Sequence, residues 1–203
     1  GYKFLAISIL ATFVVLLFSK YLGFLLILIT VWVYYFFRDP ERYSINDDSY
    51  LVSPADGLIT DISEKSGPAE LRLENTSFTR VSVFMNVFNC HVNRVPSSGK
   101  VEEIYYKPGK FLNASLDKAS EENERNYFKI KLNNGEEIVI VQIAGLIARR
   151  IVCEVEQGQE LKQGERIGMI RFGSRVDIYF KGKKVLAKMG QNVVAGESLI
   201  ASD

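Results

Sequence analysis

Histidine, cysteine and tryptophan are almost missing from this chain: its 203 residues hold one histidine, two cysteines and one tryptophan. A lone imidazole with two unlinked thiols argues against a zinc site, and it excludes a peptidase built on histidine-ligated zinc. No metal is expected. Cys90 and Cys153 are too few for a disulfide scaffold, and each lies in an apolar or strand-like run, so reduced, buried thiols are expected. A charge excess is lacking too, the formal net charge being +1. The first 37 residues contain Lys3 and Lys20 and no acid, so the remaining 23 basic side chains face all 24 acidic ones. No basic surface for nucleic acid follows from such a balance.

Long apolar runs, by contrast, are present. Phe4 to Phe18 has only Ser8 and Thr12 as polar side chains, Tyr21 to Phe37 has no charge, and Ser19-Lys20 separates the two. A secretory signal would have one short apolar core and then polar chain. Here a second run follows and ends in Trp32, Tyr34, Tyr35, Phe36 and Phe37, rings that favour a membrane interface. Each run is near the lower limit of about 17–25 residues for a span. Two short spans, a hairpin dipping into one leaflet, or one bent helix all fit. Arg38 and Arg42 beyond the second run favour the cytoplasmic side. The expectation is an α-helical membrane hairpin over 1–37, followed by a second domain over 38–203.

That second domain reads as mainly β. Short alternating runs lie between Gly, Pro, Asn and Asp at Gly57 to Ile62, Arg80 to Val87, Val101 to Tyr106, Tyr127 to Leu132, Glu137 to Ile143 and Arg149 to Val155. Asn113 to Asn126 lacks the alternation and reads as a long loop or short helix. Two repeats are visible. Gly158-Gln159 and Gly164-Glu165 recur 32 residues later as Gly190-Gln191 and Gly196-Glu197. Pro54, Gly57, Ile59 and Ile62 recur 42 residues later as Pro96, Gly99, Val101 and Ile104. Both patterns resemble those of biotinyl- and lipoyl-carrier domains, which implies a barrel-sandwich hybrid. The Met-Lys-Met tip of those carriers is absent, so the likeness extends to fold alone.

Gly173-Ser174 joins an apolar run, Ile167 to Ile170, to an alternating one, Val176 to Phe180, which reads as a half-buried strand. The plain reading is a turn. The chemical one is that a serine there, given a base, can attack the preceding carbonyl. His91 is either a structural hydrogen-bonder or a general acid and base near neutral pH. Asp56, in Ser53-Pro-Ala-Asp-Gly57, suits a turn, and also the carboxylate that orients an imidazole. Arg149 and Arg150 sit between apolar runs, beside a buried acid or an anionic ligand.

Five segments occur in order: Ser53-Pro-Ala-Asp-Gly57, Asn89-Cys-His-Val-Asn-Arg-Val-Pro96, Lys110-Phe-Leu-Asn-Ala-Ser-Leu-Asp-Lys118, Gln142-Ile-Ala-Gly-Leu-Ile-Ala-Arg-Arg150 and Phe172-Gly-Ser174. Together they closely resemble the short, membrane-associated phosphatidylserine decarboxylase proenzymes of bacteria, which have archaeal relatives acting on archaetidylserine. The resemblance implies that Ser174 cleaves the chain after Gly173. A long chain, 1–173, and a short chain, 174–203, capped by a pyruvoyl cofactor, would result. That carbonyl would form a Schiff base with phosphatidylserine and yield phosphatidylethanolamine in phospholipid biosynthesis. His91 and Asp56 would serve the chemistry. Arg94, Asn113, Lys118, Arg149 and Arg150 would bind substrate. The bilayer and the chain's own short piece would be its partners, at the cytoplasmic face of the inner membrane, with self-association left open.

The longer branch of the family carries a second histidine where this chain has Arg94. Either His91 serves both maturation and turnover, or Asp56 acts on Ser174 without an imidazole. The rivals are a decarboxylase for another amino-phospholipid, such as archaetidylserine, and a non-enzymatic membrane-anchored adaptor on the same fold. An uncut chain, indifferent to substitution at Ser174, would mark the adaptor.

Overall fold

The computed structural model describes residues 1–112, 122–146, 150–171 and 174–203. It forms two compact units, Gly1–Pro40 and Glu41–Asp203. The first consists of two helices, α1 (Tyr2–Phe18) and α2 (Lys20–Phe36), of 17 residues each. Ser19 separates them: its extended backbone (φ −150°, ψ 114°) stops α1, and its hydroxyl accepts the Leu22 N–H as the cap of α2. The helices close tightly at Gly23, where a Cβ would lie 2.3 Å from Leu16 Cδ2. Thr12 donates to Ser8 O at 2.7 Å and meets the Thr30 hydroxyl at 2.9 Å, so the two polar side chains satisfy one another between the helices. Most apolar side chains, Phe13, Leu17, Phe24 and Leu28 among them, are exposed. Each helix is about 25 Å long, short of a hydrocarbon layer of about 30 Å. No helix among the described residues is long and apolar enough to cross a membrane.

The second unit is almost entirely β, as its alternating runs predict. The strands begin with β1 (Tyr50–Val52), β2 (Gly57–Ser66), β3 (Ser77–Met85), β4 (Val92–Arg94) and β5 (Gly99–Lys107). They continue with β6 (Arg125–Leu132), β7 (Glu137–Ala144), β8 (Ile151–Cys153), β9 (Glu160–Leu161) and β10 (Arg166–Ile170). The last four are β11 (Ser174–Phe180), β12 (Lys184–Val185), β13 (Asn192–Val193) and β14 (Leu199–Ser202). Eight of them form one antiparallel sheet in the order β13-β2-β3-β11-β7-β6-β5-β9. Two three-stranded sheets, β1-β14-β12 and β4-β10-β8, complete the unit. The main core lies on the inner face of the large sheet, around Val83, Phe128, Ile140, Val176 and Ile178.

Both sequence repeats are structural, and they pair crosswise. Ile59 exchanges backbone hydrogen bonds with the Gly190-Gln191 turn, and Val101 exchanges the equivalent pair with Gly158-Gln159. Gly196 N–H donates to Ser53 O as Gly164 N–H donates to Val95 O. β2 is bulged between Ile59 and Asp61, and β5 between Val101 and Glu103, at matching places. The copies also meet each other: Arg94 N–H donates to Pro54 O and Val52 N–H to Pro96 O, each at 2.9 Å. The turn glycines need left-handed backbone (φ 89° and 80° in one copy, 77° and 78° in the other), which is why glycine recurs there.

Two expectations are corrected. β11 is buried along its whole length, not on one face. Its outward Asp177 can be buried because Arg175 pairs with it at 2.9 Å, and outward Tyr179 because Phe78 packs on its ring edge-on. Burial first, and then the Asp177 charge, push the Tyr179 hydroxyl up to about 12. Cys153 is exposed where a buried thiol was expected, since β8 is an edge strand of its small sheet. Cys90 is buried.

Candidate active site

Ser174 opens β11, opposite Met85 of β3 and Ala144 of β7. It therefore lies between two long strands and not at a surface turn. The residue is fully buried, and its hydroxyl has no hydrogen-bond partner among the described residues. Burying such a group without a partner costs about 1–3 kcal/mol, so its retention inside a core calls for a reason.

His91 lies on the connection from β3 to β4. A tight Asn86–Asn89 turn reverses the chain there: Asn89 N–H donates to Asn86 O, and Asn86 N–H to Asn89 Oδ1 at 2.9 Å. His91 is fully buried, and its Nδ1 is 3.0 Å from Asn89 O. A carbonyl can only accept, so Nδ1 carries hydrogen and the basic lone pair of the neutral ring is on Nε2. The backbone of this loop holds the chain leading to Ser174 from both sides. Ile170 N–H donates to His91 O, and Met85 pairs with Ser174. Residues 170 and 174 thus hang on the single segment 85–91. Gly173 itself lies outside the described residues.

Asp56 is buried in its turn, and both carboxylate oxygens are engaged. Arg42 donates to Oδ2 and the Ala195 N–H to Oδ1, each at 2.8 Å. The second bond has a counterpart in the other repeat, where Gln163 N–H donates to Ser98 Oγ at 3.2 Å. The turn reading of Asp56 therefore describes its geometry. Next to it, Gly57 lies two strand spacings from β11, about 10 Å. The linker before β1 is also a built element: Tyr43 N–H donates to Glu197, Ser44 to Gly196 O, and Asp47 N–H to Gln163.

Arg94, at the end of β4, is buried and donates to Gly164 O at 2.9 Å, holding a repeat turn. Arg150 is exposed, and its carbonyl accepts the Arg171 N–H at 3.2 Å. Asn113, Lys118 and Arg149 lie outside the described residues. Among the described residues, no three His, Cys, Asp or Glu side chains gather as a metal site would require.

Several buried polar residues near Ser174 are not among those to which the family resemblance gives a role. Asn123 Nδ2 donates to Ala144 O at 2.7 Å, and Glu124 Oε1 accepts the Ile151 N–H at 3.1 Å, fixing the end of β7 opposite Ser174. Tyr106, half exposed on β5, has its hydroxyl raised above its ordinary range by partial desolvation and then by the Glu124 charge. Asn93 and Gln142 are fully buried on β4 and β7. For Gln142 the signal in the sequence is a polar residue at an inward position of an otherwise apolar strand.

The phosphatidylserine decarboxylase family model matches residues 29–201. A phosphatidylserine decarboxylase proenzyme of Pelagibacter ubique is 63% identical over 201 residues, covering 99% of this chain and 94% of that protein. Proenzymes of the same name from Ruegeria pomeroyi and Rickettsia typhi are each 50% identical over 202 residues, covering 99% of this chain and 92% and 87% of theirs. The chain belongs to the phosphatidylserine decarboxylase family.

Proposed function

We propose that the chain is a self-cleaving proenzyme that matures at Gly173-Ser174 and then converts phosphatidylserine to phosphatidylethanolamine. The observation that carries this reading is the buried, unpartnered Ser174 hydroxyl on a strand whose approach is held by the His91 loop. In maturation, Ser174 Oγ loses its proton to a base and bonds to the Gly173 carbonyl carbon, and the C–N bond breaks as the Ser174 nitrogen takes up that proton, leaving an ester and a free amine. Removal of the Ser174 α-proton with rupture of the Cβ–O bond then frees a carboxylate at Gly173 and leaves dehydroalanine at 174. Water replaces its nitrogen, ammonia departs, and a pyruvoyl group caps the short chain. When formed, that group supplies a carbonyl for the substrate amine and an acceptor for the electrons left by CO₂.

The site's residues fit such a group: position 174 is buried and held between two strands. His91 acts as the base on Ser174 and as the acid that later returns a proton. Asp56 ties the short chain, through Ala195, to the long one. We also read the crosswise repeats as a barrel-sandwich hybrid. The direct test uses cyanoborohydride with phosphatidylserine. A covalent adduct is expected on the short chain beginning at position 174. An adduct on a lysine instead would show the carbonyl to be misassigned.

The helical unit, in this reading, dips its exposed apolar side chains into one leaflet at the cytoplasmic face of the inner membrane. Two 17-residue helices closed at Gly23 support a shallow hairpin. Removing residues 1–37 is expected to leave self-cleavage intact. Turnover in bilayers should drop far more than turnover of dispersed short-chain substrate. Equal loss on both would mean that the hairpin shapes the site and does not deliver it.

A further inference from the structure

A line of buried amides crosses the inner face of the large sheet. Asn93 and Gln142 are wholly buried, and Asn126 is 2% exposed. Asn126 Nδ2 donates to Gln142 Oε1 at 3.4 Å, and Gln142 Nε2 donates to Asn93 Oδ1 at 2.8 Å. Asn93 Nδ2 is then directed at Met85 Sδ, 3.6 Å away. Each amide sets the direction of the next: turning any one of them over would put nitrogen against nitrogen or oxygen against oxygen. The line therefore has a polarity, and it ends in an N–H donor. That donor rests on a thioether, a weak acceptor. A buried amide donor with so weak an acceptor is poised for a better one.

Sheet register says where the donor lies. Met85 is on β3 and pairs with Ser174; Gln142 is on β7 and pairs with Val176. Directly paired residues share a face, as do Ser174 and Val176, so all four side chains point to the inner face. The Asn93 amide touches Met85 with one end and Gln142 with the other. β3 and β7 are the two strands flanking β11. A group that bridges them across these two rows must lie over β11, between the side chains of Ser174 and Val176. The unpartnered Ser174 hydroxyl and the under-used Asn93 N–H are thus neighbours under one roof.

We propose that Asn93 is the hydrogen-bond donor to the oxygen borne by residue 174, and that Gln142 and Asn126 are positioning residues that aim it. In the uncut chain that oxygen is Oγ. An amide donor beside it stabilises the negative charge that grows as the proton leaves and the attack begins, and it does so without reorganisation. A fixed donor also holds Oγ in one rotamer. The base removes the proton, and Asn93 neither gains nor loses one. This inference rests on the proenzyme reading.

The test follows self-cleavage of freshly folded full-length protein by intact mass, with melting temperature measured in parallel. Asn93→Ala is expected to slow cleavage by about 10–10²-fold, the worth of one hydrogen bond to a group that gains charge. Gln142→Glu supplies a readout that a packing role would not move. While the carboxyl introduced by that substitution is protonated, it still donates to Asn93 Oδ1. Once ionised, it draws Asn93 Nδ2 toward itself and turns the Asn93 carbonyl toward residue 174. Cleavage of that variant should therefore fall as pH rises, where wild type does not fall. The titratable side chains on neighbouring elements, His91, Tyr106 and Glu124, are common to both proteins, so a limb seen only in the variant belongs to position 142. Should Asn93→Ala fail to fold, the Gln142→Glu profile decides alone. Wild-type cleavage rates in a folded Asn93→Ala, or a Gln142→Glu profile parallel to wild type, overturn the proposal. An uncut wild type would sink the proenzyme reading itself, which separates the two failures.

Discussion

Ser174→Ala should remain a single chain of 203 residues, while wild type separates under denaturing conditions into pieces of 173 and 30. The effect is expected to be complete, because the substitution removes the only atom that can attack, and Arg175 beside it carries no nucleophile. The fold should not suffer. Ser174 is fully buried with an unpartnered hydroxyl, so its removal deletes a desolvated polar group and leaves the Cβ packing on Met85 and Ala144. Stability should hold or rise by up to about 1–3 kcal/mol. In native buffer the two wild-type pieces should stay together. The short piece supplies β11 between β3 and β7, β13 against β2, and β14 between β1 and β12. Its Val176, Ile178, Phe180, Val193 and Ile200 belong to the main core. Intact mass and a melting curve check both halves. A wild type that stays whole under all conditions, or a Ser174→Ala chain that is cut, would remove Ser174 from its role.

The elements near this site were legible to different degrees, for physical reasons. Strands announced themselves by alternation, and the turn glycines by recurrence, since only left-handed backbone demands glycine at all four places. Constant offsets of 32 and 42 residues showed that units repeat but not which copy pairs with which; the crosswise pairing depends on contacts remote in sequence. Remoteness also hid the burial of β11, whose outward Asp177 reads as solvent-facing until Arg80, from β3, is placed near it alongside its neighbour Arg175. Asp56 is open to two readings from the pentapeptide Ser53–Gly57 alone. Its partner Arg42 comes from a stretch that looks like plain linker, and Ala195 offers only a backbone N–H, which no side-chain pattern reveals. Asn93 lies in a three-residue strand too short to show alternation, and Gln142 is a single polar residue in a strand, a type that usually faces water. The parity of Gln142, inward beside Ile140, was the available clue.

Substitution of His91 should separate maturation from turnover. Removing a proton from Ser174 needs a base, and protonating the carbon that loses CO₂ needs an acid; an imidazole does both near neutral pH, and the chain offers one. Arg94 cannot replace it, since a guanidinium stays protonated and this one already donates to Gly164 O. His91→Ala is expected to slow cleavage. The fraction that matures should release CO₂ about 10²–10⁴-fold more slowly per pyruvoyl, the usual cost of a missing acid–base group. Because the ring is buried and its Nδ1 holds the loop at Asn89 O, the alanine variant also opens a cavity and frees a carbonyl. His91→Gln controls for that: it fills most of the space and keeps an N–H for Asn89 O but has no titratable nitrogen. Both variants should therefore fail alike in chemistry while differing in melting temperature. Asp56→Asn gives the contrasting pattern. Its carboxylate binds Arg42 and the short chain's Ala195, so its loss should impair cleavage more than the turnover of protein already matured. The assay counts pyruvoyl by mass first and CO₂ per pyruvoyl second. Near-normal release per pyruvoyl in His91→Gln would confine His91 to maturation and require another group for the protonation step.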